Sequence, residues 1–218
     1  MRLVFLGPPG SGKGTQARMI GGRLGIPQIS TGDILRDAAA RGSELGLKAR
    51  VFMDKGELVP DDVMLPLVER RIGERDCREG YVLDGFPRTL AQAIGLDEVL
   101  EEHGRALDAV IFMDLDDDAV LRRLSRRRVC PRCSALYNID ADPPRHEDVC
   151  DKCGTELELR NDDSEDTVRN RLTVYRNETL PLVDYYESRG LLHKIDAGPD
   201  VEAVFASILE EIEEMKNG

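Results

Sequence analysis

The chain has 218 residues, 41% of them hydrophobic and 33% charged, which is the balance of a folded globular protein with one or two domains. Its 30 Lys and Arg against 42 Asp and Glu give a formal charge of −12. This charge argues against nucleic acid or an anionic membrane as a partner, because both select a basic face. No apolar run reaches the ~18 residues of a membrane span, and the apolar start is too short for a signal peptide. We therefore expect a cytoplasmic protein.

Short apolar runs alternate with segments of helical spacing along the chain. The runs predict strands at residues 3–6, 27–30, 81–84, 109–115 and 191–196. Near-continuous apolar runs suit strands that are buried on both faces. The alternation therefore predicts an α/β fold in which helices flank a parallel five-stranded sheet.

The segments between the strands carry start and stop signals of helices. Helices are predicted at residues 13–24, from 61, from 89, from 164 to about 180 and at 200–215. Asp61 is predicted to cap the second of these, and Thr89 with Gln92 has capping-box spacing. Ser164 can start the fourth, and Pro181 breaks or kinks it.

Two stretches interrupt the alternation and are predicted to be insertions. Residues 30–59 contain two short helices and no strand. Residues 126–163 contain paired cysteines, three prolines and few large apolar side chains. The predicted core consists of the remaining residues, 1–29, 60–125 and 164–218.

A glycine-rich loop follows the first strand and leads into a helix. Residues 7–13, Gly-Pro-Pro-Gly-Ser-Gly-Lys, match the pattern G-x-x-x-x-G-K in the strand–loop–helix context that supports it. Glycines let backbone N–H groups turn around an anion, the helix N-terminus adds partial positive charge, and Lys13 adds a full charge. The alternative is an ordinary glycine-rich turn with a surface lysine, but the agreement of all these features favours a phosphate-binding loop.

The residue after this lysine departs from the usual pattern. A Ser or Thr that ligates Mg²⁺ is common there, whereas this chain has Gly14, followed by Thr15. We expect nucleotide phosphates and water to hold the Mg²⁺ instead. This favours a small-molecule phosphotransferase over a switch GTPase.

Four of the five cysteines form two Cys-x-x-Cys pairs with sixteen residues between them. They are Cys130, Cys133, Cys150 and Cys153. This is the spacing of a structural four-thiolate zinc site, and an insertion of this size rarely holds a core without metal or disulfides. A zinc ribbon for nucleic acid is an alternative, although the acidic residues around it would repel phosphates. Iron is an alternative occupant, and Cys77 is expected to be structural.

Arginines are concentrated in a few places despite the acidic composition. They lie at positions 122, 123, 126–128, 160, 169 and 171. Phosphoryl transfer depends on positioning and on charge stabilisation, and guanidinium groups bind phosphate oxygens in pairs. Asp162 and Asp163 either pair with these arginines or are a solvated helix start, and both alternatives stay open.

Three motifs, in this order along the chain, resemble those of the long-lid adenylate kinases. Residues 7–15 resemble the phosphate loop of that family, residues 31–33 with Arg36 resemble its monophosphate-binding segment, and residues 84–89 resemble the signature after its third strand. The resemblance runs from Met1 to the C-terminal helix. It implies a monomer that converts Mg²⁺·ATP and AMP reversibly into two ADP, with a monophosphate-binding insertion at residues 30–59 and a lid at residues 126–163.

The resemblance also implies which residues bind the substrates. For AMP they are Thr31, Arg36, Gly85, Arg88, Gln92, Arg160 and Arg171, with the backbone of Glu57, Leu58 and Val59 facing the adenine. For ATP they are Gly10, Ser11, Gly12, Lys13, Gly14, Thr15, Arg123, which would stack on the base, and Arg127. The groups that would assist phosphoryl transfer are Lys13, Arg88, Arg127, Arg160 and Arg171.

Simpler explanations stay open for some of these residues. Thr31 could be only a helix cap, and Gln92 could serve only a capping box. Asp84 ends a strand at the carboxyl edge of the sheet, where open α/β folds bind ligands; we favour a water-mediated Mg²⁺ contact over a plain strand-end aspartate. For the whole chain, the alternatives are a UMP or CMP kinase on the same fold and, from a different class, a nucleotide-dependent regulatory zinc protein.

Overall fold

A parallel sheet of five strands lies at the centre of the molecule, with helices on both of its faces. The computed structural model describes residues 1–217, without the side chains of Asn161 and Asn217; Gly218, the last residue of the predicted core, lies outside the described residues. The elements are β1 (Arg2–Leu6), α1 (Lys13–Leu24), β2 (Gln28–Ser30), α2 (Thr31–Ala40), α3 (Glu44–Asp54), α4 (Asp61–Ile72), β3 (Tyr81–Asp84), α5 (Leu90–Glu102), β4 (Ala109–Asp114), α6 (Asp117–Ser125), β5 (Arg127–Val129), β6 (Leu136–Asn138), α7 (Glu165–Val174), α8 (Leu182–Glu187), β7 (Leu192–Asp196) and α9 (Val201–Asn217). The central sheet has the order β2-β3-β1-β4-β7.

The prediction of five parallel strands is confirmed. Each strand end lies within one residue of its predicted position, and all four pairings in the sheet are parallel. On β1, Val4 and Leu6 belong to one core cluster, whereas Leu3 and Phe5 belong to the other. Successive side chains of a strand point to opposite faces, so the sheet has a core on each side.

Two helices, α5 and α7, start after the predicted capping residues. Ser164 accepts a hydrogen bond from the backbone N–H of Thr167 and caps α7, and Thr89 caps α5 in the same way. The capping box is only half formed, because the Gln92 side chain accepts from the backbone N–H of Arg88 and not from that of Thr89. None of the helices within residues 1–217 is both long and apolar enough to cross a membrane.

Asp61 and Thr31 do not cap the helices that they begin. The prediction for Asp61 is wrong: Pro60 precedes α4, and the Asp61 carboxylate accepts hydrogen bonds from side chains of α5 and its cap. The alternative that Thr31 is only a cap is also wrong, because Ser30 caps α2 by accepting from a backbone N–H in the first turn.

The helix that starts after Ser164 extends to about Leu180, as predicted. Its α-helical part, α7, ends at Val174, and a π-helical segment, Tyr175–Thr179, follows directly and ends before Pro181.

The first insertion contains the two predicted short helices, α2 and α3, and apart from Ser30, the last residue of β2, none of its residues lies in a strand. The helices cross closely at Gly46, where a Cβ atom would lie 2.1 Å from the backbone nitrogen of Ala39. The return segment then packs against α7, since Asn170 Nδ2 donates to the backbone oxygen of Lys55 at 2.7 Å. The insertion therefore has its own helix pair and a second attachment to the core.

The second insertion forms a small separate unit. Strands β5 and β6 pair antiparallel, and Val129 also pairs with Glu158. Its buried cluster contains Cys130, Ala135, Tyr137, Cys150 and Leu157. Since two of these five side chains are cysteines, apolar packing contributes little, as the composition predicts.

We predict that Gly21→Ala and Gly22→Ala, although adjacent in α1, have opposite effects on thermal stability. A Cβ atom at Gly21 would lie 2.8 Å from the backbone oxygen of Ile26, whereas one at Gly22 would meet nothing within 4 Å. Alanine is about 1 kcal/mol more favourable than glycine inside a helix. Gly22→Ala should therefore raise the melting temperature, and Gly21→Ala should lower it because the following turn must shift. Thermal unfolding checks both, and an equal rise in both variants would contradict the predicted clash.

Candidate active site

The glycine-rich loop wraps around the side chain that follows it. Gly10 and Gly12 have φ angles of 79° and 92°, which an L side chain rarely adopts. Lys13 Nζ lies 2.7 Å from the oxygen of Gly7, 2.6 Å from that of Pro8 and 3.3 Å from Ser11 Oγ. Three acceptors match the three N–H donors of an ammonium group. The loop and the first turn of α1 thus present backbone donors and one cation to the same cleft.

Asp84 lies directly opposite this loop at the carboxyl end of β3. Burial raises the pKa of the Asp84 carboxyl, and the Lys13 and Arg88 charges oppose that rise. A Cβ atom at Gly14 would lie 3.1 Å from Asp84 Oδ2. The loop and the carboxylate therefore approach closely, and a Ser or Thr at position 14 would crowd this carboxylate.

Nine of the ten residues predicted to bind AMP line one cavity. They are Thr31, Arg36, Glu57, Leu58, Val59, Gly85, Arg88, Gln92 and Arg171. Apolar side chains line part of this cavity, among them Leu35, Met53 and Met64, and charged groups line another part. The tenth residue, Arg160, lines the neighbouring cavity. The cavity therefore offers an apolar surface for a ring and cations for a phosphate.

Two side chains in this first cavity form hydrogen bonds to the loop after β3. Thr31 Oγ1 donates to the backbone oxygen of Gly85 at 2.9 Å, and Arg88 Nε donates to the same oxygen at 2.8 Å. Arg36 instead pairs with Asp33 one turn away on α2. Thr31 is almost fully buried, so its hydroxyl positions the loop in addition to facing the cavity.

A second, larger cavity contains all eight residues predicted to bind ATP. They are Gly10, Ser11, Gly12, Lys13, Gly14, Thr15, Arg123 and Arg127. It shares Arg36, Gly85, Arg88 and Arg171 with the first cavity. At its far end Arg123 donates to the backbone oxygens of Ala197 and Gly198, at 2.8 and 3.1 Å. The two cavities meet where the shared arginines lie.

An arginine–aspartate network borders both cavities. Arg127 Nε donates to Asp163 Oδ2 at 2.7 Å, and Arg171 Nη1 lies 3.1 Å from Asp163 Oδ1 and 3.3 Å from Asp162 Oδ2. Arg160 Nε lies 3.5 Å from Asp162 Oδ1. The Asp163 side chain is 0% exposed. The two acids therefore pair with the arginines, and the alternative of a solvated helix start is wrong.

Known proteins match this chain over almost its whole length. A family model described as adenylate kinase matches residues 5–191. The adenylate kinase of Archaeoglobus fulgidus is 51% identical over 217 residues, which cover 100% of both chains. The adenylate kinases of Moorella thermoacetica and Thermodesulfovibrio yellowstonii are 53% and 50% identical over 208 residues, or 95% of this chain and 96% and 97% of their own.

The chain belongs to the adenylate kinase family. It is therefore a nucleoside monophosphate kinase, and the family and enzyme class predicted from the three motifs are confirmed. Members of this family use Mg²⁺ with ATP. The cavities described above contain the residues that the resemblance predicts for the two substrate sites.

The four paired cysteines of this adenylate kinase family member form one cluster. Their Sγ atoms all lie within 4.8 Å of one another, and neighbouring pairs are 3.4, 3.5 and 3.6 Å apart. No two of them form a disulfide. A tetrahedral zinc ion with Zn–S bonds of about 2.3 Å needs sulfurs roughly 3.8 Å apart. The donor set therefore fits a metal such as zinc.

Three polar contacts of the site join residues far apart in the chain, and sequence reasoning missed them. Gln28 Nε2 donates to the oxygen of Gly14 at 3.1 Å, behind the phosphate loop. Asp61 accepts from Gln92 at 2.6 Å, and α7 holds the first insertion through Asn170. No local spacing indicates such partners. The packing of α1 against β2, of α4 against α5 and of α7 against the insertion brings them together.

We predict that nucleotide binding takes up a proton at Lys13. Burial lowers the pKa of Lys13 from 10.5 to about 7; Asp84 opposes this shift, and nearby arginines add to it. A bound triphosphate favours the ammonium form and raises this pKa again. Proton uptake on ATP binding should therefore be small at pH 6 and approach one proton at pH 8.5.

Calorimetry in buffers of different ionisation enthalpy measures this uptake. Lys13→Arg is the matched control, because arginine keeps its charge throughout this range. Equal proton uptake by this variant and by the unmodified chain at pH 8.5 would show that Lys13 is not the group that titrates.

Proposed function

We propose that this chain transfers a phosphoryl group reversibly from Mg²⁺·ATP to AMP and so forms two ADP. The observation that carries the proposal is the pair of joined cavities. One contains the phosphate loop and the other contains nine of the ten predicted AMP ligands. The two substrates would therefore meet, phosphate to phosphate, beside Arg88 and Arg171.

In this proposal the protein supplies position and charge but no nucleophile. An oxygen of the AMP phosphate attacks the γ-phosphorus of ATP, and the bond from that phosphorus to the β-phosphate oxygen breaks. Lys13 and the loop N–H groups hold the β- and γ-phosphates. Arg88, Arg127 and Arg171 lie around the transferred group, where guanidinium groups stabilise spread negative charge. Burial lowers the pKa of Arg88 to about 10, so this group stays protonated at neutral pH.

The closeness of Gly14 to Asp84 supports a role for Asp84 in metal binding. Mg²⁺ that arrives with ATP would supply further charge stabilisation for the phosphates. With no side chain at position 14, a water ligand of that ion has room beside Asp84 Oδ2. Asp84 would therefore hold the ion through water, and Arg123 at the far end of the cavity would stack on the base of ATP.

The two insertions are the parts that we propose to move. Residues 30–59 would close over AMP and residues 126–163 over ATP, while residues 1–29, 60–125 and 164–217 stay as the core. The small separate core of the second insertion supports this division. Arg127 lies on β5, at the root of this lid, so closure can carry its guanidinium onto the phosphates. Closure also excludes water, which would otherwise accept the phosphoryl group.

Product analysis tests the reaction and the choice of monophosphate. The chain is incubated with Mg²⁺·ATP and AMP, GMP, CMP or UMP, and new diphosphates are separated by chromatography. We expect ADP from AMP, with the other monophosphates far slower. Because ATP itself becomes ADP whichever monophosphate is the acceptor, consumption of the monophosphate is compared as well; faster consumption of UMP or CMP than of AMP would favour the UMP or CMP kinase instead. ATP binding without any turnover would favour a regulatory protein.

In the same assay Arg127→Ala should lower kcat by at least about 10³-fold, because such an arginine contacts the transferred phosphate. Arg128→Ala is the matched control, since Arg128 donates only to backbone oxygens nearby and lies 4.0 Å from Asp148. Arg128→Ala should keep the melting temperature of the parent. Arg127→Ala should have a lower melting temperature but stay folded, because Arg171 still pairs with the buried Asp163. Near-normal turnover by Arg127→Ala would contradict the proposed role of this arginine.

We propose that the cysteine cluster binds a structural zinc ion that stabilises the lid. Four thiolates leave no open coordination position, so the ion would not take part in the chemistry. Cys133→Ser should abolish stoichiometric metal and lower the melting temperature. Cys77→Ser, which changes a buried thiol outside the cluster, should keep the metal. Elemental analysis checks both, and it also distinguishes zinc from iron; full metal content in Cys133→Ser would contradict the proposal.

A further inference from the structure

The oxygen and the nitrogen of the Gln92 side-chain amide both form hydrogen bonds within the protein. It is only 2% exposed and lines the AMP cavity. Its Oε1 accepts from the backbone N–H of Arg88 at 2.8 Å, and its Nε2 donates to Asp61 Oδ1 at 2.6 Å. The other carboxylate oxygen of Asp61 accepts from Thr89 Oγ1 at 2.9 Å. Two residues thus bind the amide, and Thr89 binds the carboxylate of one of them.

These partners allow the amide only one orientation. A backbone N–H can only donate, so the carbonyl end of Gln92 must face Arg88. A carboxylate can only accept, so the NH2 end must face Asp61. Reversing the amide would place two donors together at Arg88 and two acceptors together at Asp61. A glutamine without such partners reverses readily, because its two ends have the same shape.

The held amide has one N–H and one oxygen lone pair left for a ligand. Adenine presents an amino donor at C6 beside the acceptor N1. An amide in a fixed direction matches this pair of groups, as it matches the amino group and the acceptor N7 of adenine in DNA. Hypoxanthine and guanine present an acceptor at C6 beside the donor N1–H, which is the reverse pattern. Only a reversed Gln92 would match those two bases.

We propose that Asp61 is a positioning residue that makes the monophosphate site select adenine over hypoxanthine and guanine. Asp61 does this without touching the base, by fixing the direction of Gln92. The inference rests on the proposed function, since it assumes that the base of AMP lies against Gln92. The apolar side chains of Leu35, Val59 and Met64 in the same cavity favour that placement.

The position of Asp61 in α4 suits this role. As the first helical residue after Pro60, it is not used as a cap, so both of its oxygens are free to accept from Thr89 and Gln92. Asp62, the next residue, is exposed. The two acids therefore lie in the same first turn with the same relation to the helix dipole, but only Asp61 binds Gln92.

The test compares AMP with IMP, which carries hypoxanthine and the same sugar phosphate. In Asp61→Asn the new amide can donate to the oxygen of a reversed Gln92. Of the two mismatched contacts that oppose reversal, only the one at the backbone N–H of Arg88 then remains. The ratio of kcat/KM for AMP to that for IMP should fall about tenfold, which is the effect of one charge-assisted hydrogen bond. KM for ATP should stay the same. Asp62→Asn removes the same charge and should leave the ratio unchanged.

Three results would overturn the inference. The first is an equal loss of kcat/KM for AMP and IMP in Asp61→Asn, which indicates a structural role only. The second is an equal change of the ratio in Asp62→Asn. If Asp61→Asn does not fold, Asp61→Ser, whose hydroxyl also donates or accepts, takes its place with the same criteria. The third is the absence of ADP formation from AMP by the unmodified chain, which overturns the proposed function as well.

Discussion

Positive charge gathered in a partly dehydrated cleft is the constraint on which the rest of this structure depends. Burial lowers the pKa of Lys13 and of Arg88, and nearby positive charges, Arg171 among them, lower both further, so these cations repel one another in the folded chain. Such a cluster is unfavourable unless anions share it. Asp84 and Asp163 supply part of that negative charge. Bound phosphates supply more, so substrate binding relieves a repulsion that folding creates, and an acidic chain can hold anionic substrates strongly.

Arg171 also connects the two insertions. The return segment of the first insertion packs so closely on α7 that a Cβ atom at Gly56 would lie 2.8 Å from Arg171 Cγ. The guanidinium of the same residue binds Asp163, which in turn binds Arg127 at the start of the second insertion. A shift of the first insertion therefore acts on a side chain that is paired through one aspartate with the second. This contiguous set of contacts gives the two cavities a physical route for coupling.

The features that could be predicted from the sequence are those whose signal is local. The phosphate loop, the five strands and the cysteine pairs each depend on residues a few positions apart, or on one apolar run. Side-chain pairs between elements carry no such signal. Asp61 looked like a helix cap because a carboxylate before a helical segment usually is one; its real partner, Gln92, is 31 residues away. The missed contacts depend on how helices pack against other elements. Apolar periodicity indicates which face of a helix is buried, but not which residues that face contacts.

Affinity and selectivity have different origins in this site. Arginines attract any nucleoside monophosphate, because the phosphate is the same whichever base it carries. Discrimination between bases must come from neutral groups whose hydrogen-bond donors and acceptors have fixed positions. The donor and acceptor of an amide are fixed only when its neighbours can solely donate or solely accept. A backbone N–H and a carboxylate are such neighbours. The proposed role of Asp61 therefore explains how an acid can lie beside a site for an anion: Asp61 would act on the amide that faces the base, whereas the cations that would hold the phosphate lie elsewhere in the cavity.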